Sequence, residues 1–166
     1  MRGSLWAVSR ARPPRLVFAG LVALVALNLF GLYRDRQARH IEARNASMVQ
    51  AASEGMVNLT TIDHRQVDQD VQRILDSSTG TFREDFAKNT QSFVDAAKKA
   101  QSTSAGTISE AGLETAGGDE GRVLVALTVM TSNRGVPENQ PRTWRTRVTV
   151  TDVGGDFKVA AVEFIR

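Results

Sequence analysis

Apolar and polar positions divide this 166-residue chain into three stretches with different periods. Residues 16–33, LVFAGLVALVALNLFGLY, are apolar throughout, with no charge, no proline and Asn28 as the one strongly polar side chain. As a helix, this stretch would reach roughly 27 Å, close to the ~30 Å of bilayer hydrocarbon. It keeps no polar face, which a helix on a soluble core would need. From residue 34 to about residue 100 the apolar positions recur at helical spacing. From residue 101 onward they alternate with period two.

The helical part has three sections. Residues 34–59 contain no proline, and Met48, Ala52, Met56 and Leu59 form a narrow apolar stripe. This predicts a helix that is polar near the apolar stretch and packs further on. Residues 63–77 place Val67, Val71, Ile74 and Leu75 on one face, and Gly80 reads as a terminator. Thr81 and Glu84 have capping-box spacing, so a third helix is expected over 82–100, with Phe86, Phe93, Val94 and Ala97 on its apolar side.

Four strands are expected in the rest. Residues 103–115 form a weak strand of small residues, followed by a turn at 116–119. Residues 122–131, RVLVALTVMT, are apolar on both faces, as in a central strand. A loop is expected over 133–141. Residues 142–153 then alternate, with Trp144, Val148 and Val150 on one face and Arg145, Arg147 and Thr149 on the other. Gly154-Gly155-Asp156 marks a turn before a last strand over 157–165. Helices followed by hairpin-linked strands give an α+β domain, with helices on one face of an antiparallel sheet.

The apolar stretch is too long for a signal peptide core and no A-x-A site follows it, which favours an uncleaved anchor. Leu16, Phe18, Leu21, Leu24, Leu27, Phe30 and Tyr33 would carry its contact with lipid. Four arginines stand on each side of it: Arg2, Arg10, Arg12 and Arg15 before, and Arg34, Arg36, Arg39 and Arg44 after. The positive-inside count is therefore a tie. The short tail without acids tips the expectation toward a cytoplasmic amino terminus and an extracytoplasmic domain. The expected plan is a short basic tail over 1–15, a transmembrane helix over 16–33, a juxtamembrane helix over 34–59 and an α+β soluble domain over 60–166.

Charge removes the nucleic-acid reading. Residues 1–44 hold eight basic and two acidic side chains, leaving 21 − 8 = 13 basic and 18 − 2 = 16 acidic for residues 45–166. The soluble part is mildly acidic, the wrong sign for DNA or RNA, and the basic part suits anionic lipid headgroups. There is no cysteine, which excludes thiolate metal sites, disulfides and thiol nucleophiles.

Several short runs carry a family likeness: Asp70-x4-Leu75-x3-Thr79-Gly80-x-Phe82, Val123-Leu124-Val125-Ala126-Leu127, Pro141-Arg142-Thr143-Trp144-Arg145 and Gly155-Asp156-Phe157-Lys158-Val159. In this order, after one apolar stretch, they resemble the Mce-associated membrane proteins of actinobacteria. The resemblance implies a cystatin-like, nuclear-transport-factor-type domain, a curved four-stranded antiparallel sheet wrapping helices. It also implies an accessory role in stabilising or assembling Mce-type lipid importers, with Mce transporter subunits as partners and no catalytic set.

Candidate chemistry is sparse. His40 and His64 have no metal-ligand spacing, and Asp63, Asp68, Asp70 and Asp76 lack the glycine-centred pattern of a calcium loop. Asp70 reads as a helix-surface or cap-linked residue. No cofactor, metal or catalytic residue is expected. Arg145 and Arg147 form a candidate partner surface. Phe82, Phe86, Phe93, Trp144 and Phe157 are candidates for the core or for an apolar pocket. Three functions stay open: an accessory assembly protein with membrane lipid and further copies of itself as candidate partners; a lipid-binding module handing substrate to the importer; and a type IV secretion-like assembly subunit.

Overall fold

The computed structural model describes the backbone over residues 14–165 and, within it, the side chains of Phe30, 33–135 and 141–165. Helix α1 runs Pro14–Thr60, β1 Ile62–Asp63, α2 Val67–Asp76 and α3 Gly80–Ala100. Strands β2 Thr103–Gly117, β3 Glu120–Asn133, β4 Val136–Val153 and β5 Asp156–Phe164 follow. The chain forms two compact units, residues 1–42 and 43–166. The anchor expected over 16–33 falls, except for Phe30 and Tyr33, on side chains outside the described residues. Phe30 and Tyr33 are exposed. Among the described residues, no helix is long and apolar enough to cross a membrane.

The larger unit is α+β. Its sheet has five antiparallel strands in the order β1-β2-β3-β4-β5, one more than the four expected. The added strand, β1, is two residues long, too short for alternation to register. Its pairs Ile62↔Ser104 and Asp63↔Thr103 are set by the chain's return at the far end of α3. The doubly apolar stretch became β3, the middle strand, as expected. The loop expected over 133–141 is instead mostly strand: β4 begins at Val136 and pairs Thr131↔Gln140 and Met130↔Pro141. Because β5 covers β4 only from Thr146 onward, Pro141 lies where β4 has an open edge, a place where a proline's missing N–H costs little. Strand β2 shifts register twice against β3, between Ile108 and Glu110 and between Leu113 and Thr115.

One face of the sheet carries the main core. Val123, Val125, Leu127 and Val129 of β3, Val148 and Val150 of β4 and Val159 of β5 are buried against Met48, Ala52 and Met56 of α1. The stripe anticipated on residues 48–56 is thus the helix's packing face. Two glycines admit the helix closely. A Cβ on Gly121 would lie 2.5 Å from Met48 Sδ, and one on Gly106 would overlap the Thr60 side chain. A second cluster joins Ile62, Val67, Val71, Ile74, Val94 and Ala97, with Phe82, Phe86 and Phe93 packed around it.

Two local expectations are corrected. The Thr81–Glu84 capping box is absent: Thr79 is the N-cap of α3 and makes no side-chain capping bond. Gly80, at φ +57°, supplies the left-handed turn that starts α3, three residues beyond the Ser77 C-cap of α2. Its sequence signal was a breaker, and a breaker between two helices serves either end. Asp70 is fully buried, not on the surface. Its carboxylate accepts the Asp63 backbone N–H at 2.7 Å and the Arg73 guanidinium at 2.8 Å, tying β1 to α2. With those partners both oxygens of the buried carboxyl are hydrogen-bonded inside the fold.

Candidate interaction surface

Strand alternation sends every second residue of β2–β5 to the face opposite the helices. Side by side across that outward face run Glu110–Ala126–Arg145 and Gly112–Leu124–Arg147–Glu163. Small side chains at Gly112 and Ala126 between longer ones leave a groove of about 660 Å³, lined among others by Glu110, Leu124, Ala126, Arg145 and Ile165. Leu124 is 40% exposed and Ile165 38% exposed, so its floor is accessible apolar surface.

The two arginines predicted to share a face do so, and their states differ. Arg147 is held by Glu114, which accepts from Nε at 2.7 Å and from a terminal nitrogen at 2.8 Å, with Glu163 3.5 Å away. The hydrogen bonds from Arg147 push the Glu114 carboxyl below its usual range, and Arg122 adds to that through its charge. The Arg147 guanidinium is correspondingly raised. Arg145 is exposed and, among the described residues, forms no ion pair; the same is true of Glu110. One arginine belongs to a fixed bidentate network and the other is available.

The five aromatic candidates do not gather in one pocket. Phe82 stacks on Phe86 with ring centres 6.4 Å apart, and Phe86 meets Phe93 at 5.7 Å, all in or beside the helical cluster. Trp144 packs on the sheet core and meets the exposed Phe164 edge-on at 5.4 Å. Phe157 lies beneath the Arg44 guanidinium at 5.5 Å, and Arg44 also bonds the Gly118 carbonyl. None of the five lines the outward groove. The sequence signal for that groove was β3's apolar character on both faces, since a strand with one wet face would carry polar residues at 124 and 126.

Elsewhere, Asp63 receives both the backbone and the side-chain donors of Arg65, with Nε at 3.0 Å, which lowers its carboxyl to about 2. His64 is half-buried, its Nδ1 3.3 Å from the Ser102 carbonyl. Among the described residues, no three His, Asp or Glu side chains stand together as metal ligands.

Over residues 15–166 the chain matches the family described as uncharacterized protein Rv1363c/MT1408-like. It belongs to that family. The uncharacterized protein Rv1363c of Mycobacterium tuberculosis (strain ATCC 25618 / H37Rv) is 32% identical over 163 residues, covering 94% of this chain and 62% of the relative. This Rv1363c/MT1408-like chain therefore spans about three-fifths of the relative's length. Among solved structures, an IcmL-like type IV secretion system protein of Legionella pneumophila shares the fold with TM-score 0.58 and 16% identity, over 72% of this chain and 91% of that one. The periplasmic domain of DotI does so with TM-score 0.55 and 13% identity, over 70% and 91%. At such identities the likeness establishes a nuclear-transport-factor-type fold, now with five strands, and nothing about chemistry.

Proposed function

We propose that this chain is a membrane-anchored accessory subunit of the cell envelope that carries no reaction of its own and stabilises or assembles a larger complex. The observation that carries the reading is the fold shared with the periplasmic domain of DotI, on a chain whose sequence sets an 18-residue charge-free apolar stretch before that fold. A single uncharged helix of that length can hold a domain at the membrane, where the domain has a face to offer a partner. The finer assignment, from the family resemblance in the sequence, is an Mce-type lipid importer with its subunits as partners.

Deleting the gene tests this. The abundance of the importer's other subunits should fall along with lipid uptake. Unchanged subunit levels with normal uptake would overturn the assignment. A second reading, a type IV secretion-like assembly subunit, is favoured by the IcmL-like and DotI folds. It expects neighbouring genes for conjugation ATPases in place of Mce and permease genes. The anchor has its own check. The full chain should resist carbonate extraction, and Val25→Arg should raise the insertion free energy by roughly 3 kcal/mol and release the protein.

A further inference from the structure

The outward face of the sheet has an internal symmetry of chemistry that the assembly role does not require. Taken about β3, its rows read Thr107–Thr128–Thr143, Glu110–Ala126–Arg145, Gly112–Leu124–Arg147 and Thr115–Arg122–Thr149. Rotate a second copy by half a turn about an axis lying along β3, between the two facing sheets. Its β4 then lies over β2 of the first copy and its β2 over β4. Thr107 meets Thr143, Thr115 meets Thr149, Gly112 leaves room for Arg147 and, decisively, Glu110 meets Arg145. Ala126 and Leu124 meet their own copies on the axis, where a small and an exposed apolar residue suit close approach.

We propose that this face is a self-complementary contact for a second copy of the chain, with Glu110 of each copy paired to Arg145 of the other. An isologous contact of this kind uses every interaction twice and closes at two copies. Within one copy, Glu110 and Arg145 sit on strands roughly 10 Å apart across Ala126 and form no ion pair among the described residues, so both remain available. Arg147, by contrast, is already held by Glu114 and Glu163 and brings no unmatched charge to Gly112. Arg122 falls on the axis opposite its own copy, and its neighbour Glu114 offsets that like-charge meeting. The inference goes beyond the assembly reading and does not depend on it.

Charge reversal gives the test, on two differently tagged full-length chains in one detergent, read by co-purification and sedimentation. The wild-type chain should self-associate. Glu110→Arg and Arg145→Glu should each weaken self-association at least about tenfold, since like charges then face each other twice. Mixing the two variants should restore association, because each contact again pairs opposite charges. The doubly reversed chain E110R/R145E should associate with itself, which also shows that the substituted proteins are folded. A monomeric wild type, single variants that associate as well as wild type, or a mixture that stays apart would each overturn the proposal. A face covered by a different protein would give the first of these results. Because the experiment uses only this chain, its failure would leave the accessory-subunit reading standing.

Discussion

The two faces of one sheet, built by alternate residues of the same strands, contrast sharply. Toward the helices, Val123, Val125, Leu127 and Val129 are sealed under Met48, Ala52 and Met56, and two glycines are spent on bringing helix and sheet together. On the opposite side, Arg122, Leu124, Ala126 and Thr128 alternate with them and hold a charged, half-apolar surface with an open groove. A strand thus carries a sealed core and an exposed, grooved face in the same eight residues, separated only by the pleat. Substitutions one position apart should have unrelated effects.

The strongest way to break that contrast is Leu127→Ala against Leu124→Ala. Leu127 is fully buried, and its truncation should cost about 2–5 kcal/mol, whereas Leu124→Ala, with both changes read in the Arg145→Glu background that keeps the chain apart from its copies, should stay within about 0.5 kcal/mol. Urea unfolding of the two variants reads the difference, and equal losses would mean that the outward face is also covered in the isolated chain. Next in size is Gly106→Ala. The new methyl overlaps Thr60, a stiff side chain whose hydroxyl donates to the Met56 carbonyl at 2.6 Å. About 1–3 kcal/mol of stability should be lost, measurable as a lower thermal midpoint, while the same change at Gly112, where a Cβ meets nothing within the single chain, should be nearly silent in the Arg145→Glu background.

Asp70→Ala should follow, at about 1–3 kcal/mol, by leaving the Asp63 N–H without its acceptor in a half-buried site. Hydrogen exchange should show the β1–α2 junction opening ahead of the sheet. The smallest effect expected is one of pH. Asp63 has a carboxyl lowered from 3.8 to about 2, so its contribution to stability is complete above pH 3.8 and fades as pH falls toward about 2. Glu114 is shifted in the same direction by Arg147 and should lose its contribution in acid too. Melting midpoints of Asp63→Asn and wild type should converge in that acid range, and a constant gap across it would contradict the coupling.

Much of this was legible in the sequence because periodicity reports local geometry. The stripe on Met48, Ala52 and Met56, the span of α3, the central place of β3 and the alternation of β4 all follow from repeats of 3.6 or 2. What escaped depends on distant partners. β1 exists only because Ile62 and Asp63 find Thr103 and Ser104, some forty residues on. Asp70 looks like any polar position of an amphipathic helix until the chain brings the Asp63 N–H to it. Arg145 and Arg147 are identical in sequence terms, and only Glu114 and Glu163, from other strands, tell them apart. The groove's apolar floor could have been anticipated from Leu124 and Ala126, since a doubly apolar middle strand needs a use for its second side.

The two register shifts in β2 have a consequence for solubility. β1 reaches only Thr103 and Ser104, so among the described residues most of the fifteen-residue β2 has no strand on its other side. A long, smooth border of unused amide groups would recruit strands from other molecules without limit. The irregularities beside Glu110 and Glu114 roughen that border, and each of these positions carries a negative charge. Open-ended polymerisation along the border is thereby discouraged. Straightening β2 by deleting Ser109 would put at risk the chain's ability to remain dispersed at high concentration, even with its core unchanged.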